Sequence, residues 1–202
     1  VKLLLIGATG TIGQAVAAAL SQRHEVIAAS RSSEMARVDI TSPTSIRALF
    51  AAVGAIDGVI SASGAARRKP LEQLQDEDFW FSLQNKLMGQ VNLVREGLQR
   101  VRDGGVIVVT SGQASRSPSP GSGAISLVNA GLEGFVRAAA LEAPRAIRVN
   151  AVSPPWISGT LSKLGMDATA GLPASVVARA YACAVETPVT GQVIEPDEDA
   201  GA

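Results

Sequence analysis

The segment "GATGTIG" (7–13) sets Gly7, Gly10 and Gly13 at three-residue spacing, between the apolar run of residues 2–6 and an amphipathic repeat at Ile12, Val16 and Leu20. Glycines so placed let a chain turn sharply, let the backbone approach a diphosphate and let a helix pack closely on a strand. The helix that follows offers unpaired N–H groups and the positive end of its dipole to phosphate oxygens. A glycine triplet alone is a weak signal; its position between strand and helix gives it weight. Gly7, Thr9, Gly10, Thr11, Ile12 and Gly13 are therefore candidate residues of a dinucleotide site, against the plainer reading of a purely structural turn.

The next apolar run ends in "AASRSS" (28–33). Where a dinucleotide has a free adenosine ribose, a carboxylate usually stands here and accepts hydrogen bonds from both hydroxyls. Ser30, Arg31 and Ser32 hold that corner, and no acid does. A guanidinium is a charged fork suited to a 2′-phosphate, so NADP(H) is expected over NAD(H). The alternative is an arginine that only faces solvent.

These residues need a scaffold, and the rest of the chain describes one. Seven short runs have strand character: 2–6, 25–29, 37–39, 57–61, 105–110, 147–151 and 191–195. Most are apolar at consecutive positions, as strands covered on both faces should be. Helical patterns lie between them. Ser42 and Pro43 form a cap and first-turn pair for a helix to about residue 52. Asp76 opens a long helix to about Val101, closed by "DGG" (103–105). Residues 121–142 form another, and Pro173 starts a last one to about 186. Strand–helix alternation predicts an α/β fold of the Rossmann type: a doubly wound parallel sheet of about seven strands with helices on both faces. A length of 202 residues fits a single domain, drawn here as 1–195, with an acidic tail at 196–202 expected to fray.

Composition narrows the function. Eighteen basic and eighteen acidic residues cancel, which gives no electrostatic footprint for nucleic acid or an anionic membrane. No uninterrupted apolar stretch reaches membrane-spanning length, and the first apolar run is short for a signal peptide, so a cytoplasmic protein is expected. The single cysteine, Cys183, rules out an intrachain disulfide and a cysteine metal cluster. The single histidine, His24, reads as a loop residue, so no metal site and no Ser-His triad is expected.

With "GATGTIG", "VDIT" (38–41), "SASG" (61–64) and "IRVNAVSPPWISGT" (147–160) in view, the chain resembles the short-chain dehydrogenase/reductase superfamily over nearly its whole length. The resemblance implies further cofactor-side residues. Asp39, followed by Ile40, matches the family's adenine-contacting acid. Ser61, Ala62, Ser63 and Gly64 stand where the family has Asn-Asn-Ala-Gly. Pro154, Ile157 and Thr160 belong to the segment that faces the nicotinamide amide, although the family's Pro-Gly is here Pro154–Pro155.

The resemblance also exposes a gap. The family's 121–142 helix carries a Tyr and, four residues later, a Lys, facing a Ser at the preceding strand end. A phenol titrates near 10 and needs a neighbouring ammonium to serve as a proton donor at neutral pH. Alignment puts Ile125 and Asn129 at those places, with Gly112 at the serine position and Ser111 beside it. The only tyrosine is Tyr181, far along the chain. In "LQNKLMGQ" (83–90), Lys86 takes the place of a family asparagine, with Asn85 one residue off the expected face; Lys86 either enters the space of the missing lysine or lies on the solvent side of a long helix.

Two functions follow. The first is an NADP(H)-dependent oxidoreductase acting on a small carbonyl or alcohol substrate. Lys86 and Ser111 would carry catalysis, with Ser63 assisting. The second is a non-catalytic dinucleotide-binding sensor or interaction protein. The family's subunit contact implies a homodimer or homotetramer through the long fourth helix and the 121–142 helix, with Gly123, Ala124, Gly131, Gly134 and Ala138 permitting close approach. The stretch after Thr160 is short for the family, which implies an open site or one completed by a neighbouring subunit. "RRKP" (67–70) could attract an anion or merely be solvated.

Overall fold

Apolar runs too short to bury themselves pair side by side, and each crossover helix then covers one face of the sheet they make. The structure, a computed structural model, describes residues 1–197. Strands β1 (Lys2–Ile6), β2 (Glu25–Ala29), β3 (Ile56–Ser61), β4 (Val101–Thr110), β5 (Arg148–Val152) and β6 (Val193–Ile194) form one all-parallel sheet in the order β2-β1-β3-β4-β5-β6. The helices are α1 (Thr11–Leu20), α2 (Pro43–Val53), α3 (Asp76–Ser82), α4 (Gly89–Arg100), α5 (Gly123–Glu142), α6 (Ser158–Lys163) and α7 (Ala174–Glu186).

The period-two alternation of β1 divides the molecule. Leu3 and Leu5 enter a core shared with Val16 and Leu20 of α1 and Val177 and Tyr181 of α7. Leu4 and Ile6 enter the opposite core, with Phe50 of α2, Leu93 of α4 and Leu132 and Val136 of α5. This is the doubly wound Rossmann architecture expected above. Because the chain leaves β1 toward one edge and returns to the other side of it for β3, the loops after Ile6 and Ser61 diverge and open a crevice. The Ala62 N–H donates to the Ile6 carbonyl at 2.8 Å and pins the two loops at its floor.

Several expectations are corrected. The sheet has six strands, not seven. Residues 37–39 make only an isolated bridge between Ser30 and Arg37, because the turn at 31–35 brings the chain back across the tip of β2 and the Asp39 carboxylate then accepts from the Thr41 N–H, bending it into α2. The long helix expected over 76–101 is interrupted by a π turn at Leu83–Met88 and ends at Arg100. "DGG" does not close it but lies inside β4, which starts at Val101 and pairs irregularly with β3 there. Helix α6 is not anticipated by the apolar pattern, since only Leu161 is buried. Ala124, expected at a subunit contact, is fully buried within the chain. Helix α5 is long and apolar enough to cross a membrane by composition, yet Val128, Leu132 and Val136 are buried on the protein side. Of the expected tail, residues 198–202 lie outside those described, and the Arg179 guanidinium donates to the Asp197 carbonyl at 3.4 Å.

Candidate active site

The crevice begins at the glycine turn, where each glycine has a different reason. Gly7 has φ +85°, and a Cβ there would lie 2.6 Å from the Ala62 carbonyl oxygen. A Cβ on Gly13 would lie 2.0 Å from the Gly7 carbonyl oxygen, so this glycine seats α1 on the turn. Gly10 is unlike both. Its φ of −77° suits any residue, and a Cβ would meet only the Gly7 carbonyl oxygen, at 3.3 Å. The fold's own demand for glycine is weaker here than at Gly7 or Gly13, whereas a ligand approaching the backbone would add one. No side chain caps α1, and its first turn carries no acid, so its leading N–H groups are left for an anion. The turn therefore fits a dinucleotide diphosphate.

A cavity of about 510 Å³ extends from this turn to the tip of β2. It is lined by Gly7, Thr9, Gly10, Ser30, Arg31, Ser32, Asp39, Ile40, Ala62, Ser63 and Gly64, all expected from the sequence, and also by Val38, Ala65 and Asn85. Among the described residues, Arg31 and Asp39 are its only charged lining residues. The Asp39 carboxylate accepts from the backbone N–H and hydroxyl of Thr41. Those bonds, with the Arg31 charge adding to them, hold its pKa below the usual carboxylate range. Three expected residues line neither this cavity nor its neighbour toward α5. Gly13 is buried behind it. Ser61 is buried with its hydroxyl 3.0 Å from that of Ser63. The Thr11 hydroxyl accepts from the Lys163 ammonium at 2.8 Å.

A second cavity, of about 580 Å³, continues past Gly64 toward α5. Ile12, Lys86, Ser111, Pro154, Ile157 and Thr160 line it as expected, with Ile125, Asn129, Arg68 and Trp156. The π turn decides which side chain enters. An extra residue in that turn leaves Asn85 on the first cavity and Lys86 on the second. Gly64, at φ +122°, lies so close that a Cβ would be 3.2 Å from the Lys86 Cα. One turn on, the buried Gln90 amide donates to the Lys86 and Thr110 carbonyls, at 3.2 and 2.8 Å, and accepts from the Thr110 N–H at 2.7 Å. The Lys86 ammonium donates to the Ser111 carbonyl at 3.0 Å. Burial pushes its pKa down to about 8, because a charged amine loses hydration that one carbonyl only partly replaces.

Ser111 is held the other way round. Its hydroxyl donates to Glu133 Oε1 at 2.8 Å, so its one proton is directed at α5. Glu133 is itself buried and satisfied, accepting from the hydroxyls of Ser115 and Ser153 at 2.7 and 3.2 Å and from Arg116 at 3.1 Å. At the place where the family has lysine, the buried Asn129 amide donates to the Gly112 carbonyl at 3.2 Å, while its Oδ1 has no partner among the described residues. Tyr181 cannot replace the missing tyrosine. It is fully buried in the α1/α7 core with its hydroxyl bonded to Thr110 Oγ1, and burial drives its pKa upward.

Comparison with known proteins is consistent with this geometry. A family model described as enoyl-(acyl carrier protein) reductase matches residues 7–190. The chain belongs to the short-chain dehydrogenase/reductase family. It is 26% identical over 183 residues to a 3-oxoacyl-[acyl-carrier-protein] reductase of Vibrio cholerae, covering 79% of this chain and 75% of that one. A hydroxynaphthalene reductase-like protein of Metarhizium brunneum is 31% identical over 124 residues, covering 58% of this chain and 46% of that one. Among solved structures, a Listeria innocua protein superposes with a TM-score of 0.91 at 37% identity, covering 96% and 98% of the two chains. A small-chain dehydrogenase in complex with NADPH superposes with a TM-score of 0.86 at 28% identity, covering 97% and 96%.

Three side chains of this family member, Glu133, Gln90 and Trp156, escaped the sequence reading, and Arg68 entered it only as part of "RRKP". Glu133 had a signal: Val128, Asn129, Leu132, Glu133 and Val136 follow helical spacing on one buried face. Gln90 lies on the inner face of α4 with Val94 and Gly97, and the same pattern could have found it. Arg68 and Trp156 come from loops 88 residues apart, and no local pattern brings them to one cavity.

Proposed function

We propose that the protein is an NADP(H)-dependent oxidoreductase that reduces a small carbonyl compound with Lys86 as the proton donor. The diphosphate would lie on the α1 amides beside Gly10, and Arg31 with Ser30 and Ser32 would hold a 2′-phosphate. Pro154, Ile157 and Thr160 would border the nicotinamide end. Bound there, the reduced dinucleotide would supply a hydride to the carbonyl carbon. Lys86 then holds its ammonium at the carbonyl oxygen and gives up a proton as negative charge gathers on it. The amine regains a proton from solvent through the cleft. Ser111 contributes through its carbonyl, which orients the ammonium, since its hydroxyl proton is already committed to Glu133.

The observation that carries this reading is a desolvated ammonium, titrating at about 8, inside the cavity next to the glycine turn. A proton donor works best when its pKa is close to the working pH. The test is Lys86→Met, assayed with NADPH over a carbonyl panel alongside binding of the oxidised cofactor. Loss of turnover with retained binding supports the reading. Absence of turnover in the parent protein supports instead the non-catalytic dinucleotide-binding protein, which the missing Tyr–Lys pair favours.

A symmetric dimer also fits. Leu127, Gly131, Gly134, Ala138 and Leu141 recur at alternating four- and three-residue spacing on the exposed side of α5, a stripe that close packing against a second α5 would cover.

A further inference from the structure

The cluster "RRKP" resolves into two unlike parts. Asp78 accepts from Lys69 at 2.8 Å and lies 3.8 Å from Arg67, whose guanidinium stacks on Phe81 at 3.9 Å. These two cations are thereby tied to α3. Arg68 has no carboxylate within ion-pair distance among the described residues. Its guanidinium donates to the Pro120 carbonyl at 3.2 Å and lies 5.3 Å from the centre of the Trp156 ring. Both Arg68 and Trp156 line the cavity that holds Lys86.

That cavity is selective by charge. Among the described residues its two ionisable lining residues are Arg68 and Lys86, with no aspartate or glutamate. Ser122 and Ile125 bring the N-terminal turn of α5 into the same wall, and no acid lies in that turn. All three features favour a negative ligand. A fourth points to a ligand with a donor group: Asn129, 1% exposed and lining this cavity, keeps an unpartnered Oδ1. An acceptor buried without a partner is costly, and a bound hydroxyl would relieve it.

We propose, resting on the reductase reading above, that the substrate is a small carbonyl compound bearing an oxyanion group, a carboxylate or a phosphate monoester. Arg68 binds the anion with its planar fork, braced by Trp156 and the Pro120 carbonyl. Lys86 serves the carbonyl, and Asn129 Oδ1 accepts from the hydroxyl that reduction creates. The Trp156 face gives the ligand's apolar body a flat neighbour.

The test needs no turnover. In a Trp80→Phe background, quenching of Trp156 emission with NADP⁺ bound reports binding of 4-formylbenzoate, 4-formylphenyl phosphate and the neutral 4-formylbenzamide. One or both anions should bind about tenfold more tightly than the amide, the size of a charge-assisted hydrogen bond, and which anion does so separates carboxylate from phosphate. Arg68→Met should remove that preference and Arg68→Lys restore part of it, with NADPH affinity unchanged. Equal binding of acid and amide, or an unaltered preference in Arg68→Met, overturns the proposal. So does a tenfold loss of NADPH affinity in Arg68→Met, which would assign Arg68 to the dinucleotide. Anion preference without turnover of any carbonyl would sink the reductase reading and keep this anion site. Turnover without anion preference would do the reverse.

Discussion

The two cavities share Gly64 as a common wall, yet one follows the family's pattern and the other departs from it. Around the glycine turn, backbone does the work: two glycines fit where a Cβ would collide, and a third leaves the cleft open to a ligand. Such a site tolerates little change, because each requirement falls on the main chain. Around Lys86, the proposed work falls on side chains, and these differ from the family's. The helix that carries Tyr and Lys in the family carries Ile125 and Asn129 here, and an ammonium enters from the π turn before α4 instead. A proton donor can be supplied from any wall that reaches the carbonyl oxygen, whereas a diphosphate cradle has one geometry.

Breaking the side-chain cavity should have the largest effect. Lys86→Met is expected to lower kcat by about 10²-fold or more, the usual worth of a positioned general acid, while oxidised-cofactor binding stays within about twofold. In the parent protein, reduction should fall as pH rises through about 8, since the deprotonated amine has no proton to give. A flat kcat/KM profile from pH 6 to pH 10 would remove Lys86 from the mechanism. The backbone cavity is tested next by Gly10→Ala, whose added methyl would meet only the Gly7 carbonyl oxygen, at 3.3 Å, on the wall of the cleft. Dinucleotide affinity should drop by about tenfold or more, with an unchanged circular dichroism spectrum.

Arg31→Ala sharpens the account of the backbone cavity. It should reduce the ratio of NADPH to NADH affinity by about tenfold, read by isothermal titration, because a charge-assisted hydrogen bond to the 2′-phosphate is lost. The smallest effect is expected at Tyr181→Phe. Thr110 would lose one partner, costing about 1 kcal/mol of stability in a denaturant titration, and turnover should not change. A large loss of turnover there would place the sole tyrosine back in the chemistry.

The departure from the family's helix pattern was partly legible without coordinates. Absence of a tyrosine and a lysine at 125 and 129 is a fact of the sequence, as is a lysine at 86. Whether Lys86 would face the second cavity or the solvent was not. Successive residues on a helix differ by about 100° in direction, so a single π turn alters which of two neighbours points inward, and nothing in "LQNKLM" announces that turn. Ser111 teaches the same lesson: its position at the end of β4 was foreseen, but its proton is captured by Glu133 from another helix. The expected strand at 37–39 failed for a related reason, since strand character in three residues does not decide whether a partner lies within reach.

By itself the sequence determined the alternation of strand and helix, the two-sided burial of the sheet, and the glycine turn at the start of α1. These rest on steric limits and burial periodicities that act over a few residues. Only the tertiary structure decided that Arg68 parts from Arg67 and Lys69 to join Trp156, that Glu133 gathers three hydroxyls and Arg116, and that Lys86 loses enough hydration to titrate at about 8. Side-chain direction and solvation depend on neighbours that come from distant parts of the chain, and only folding brings those neighbours together.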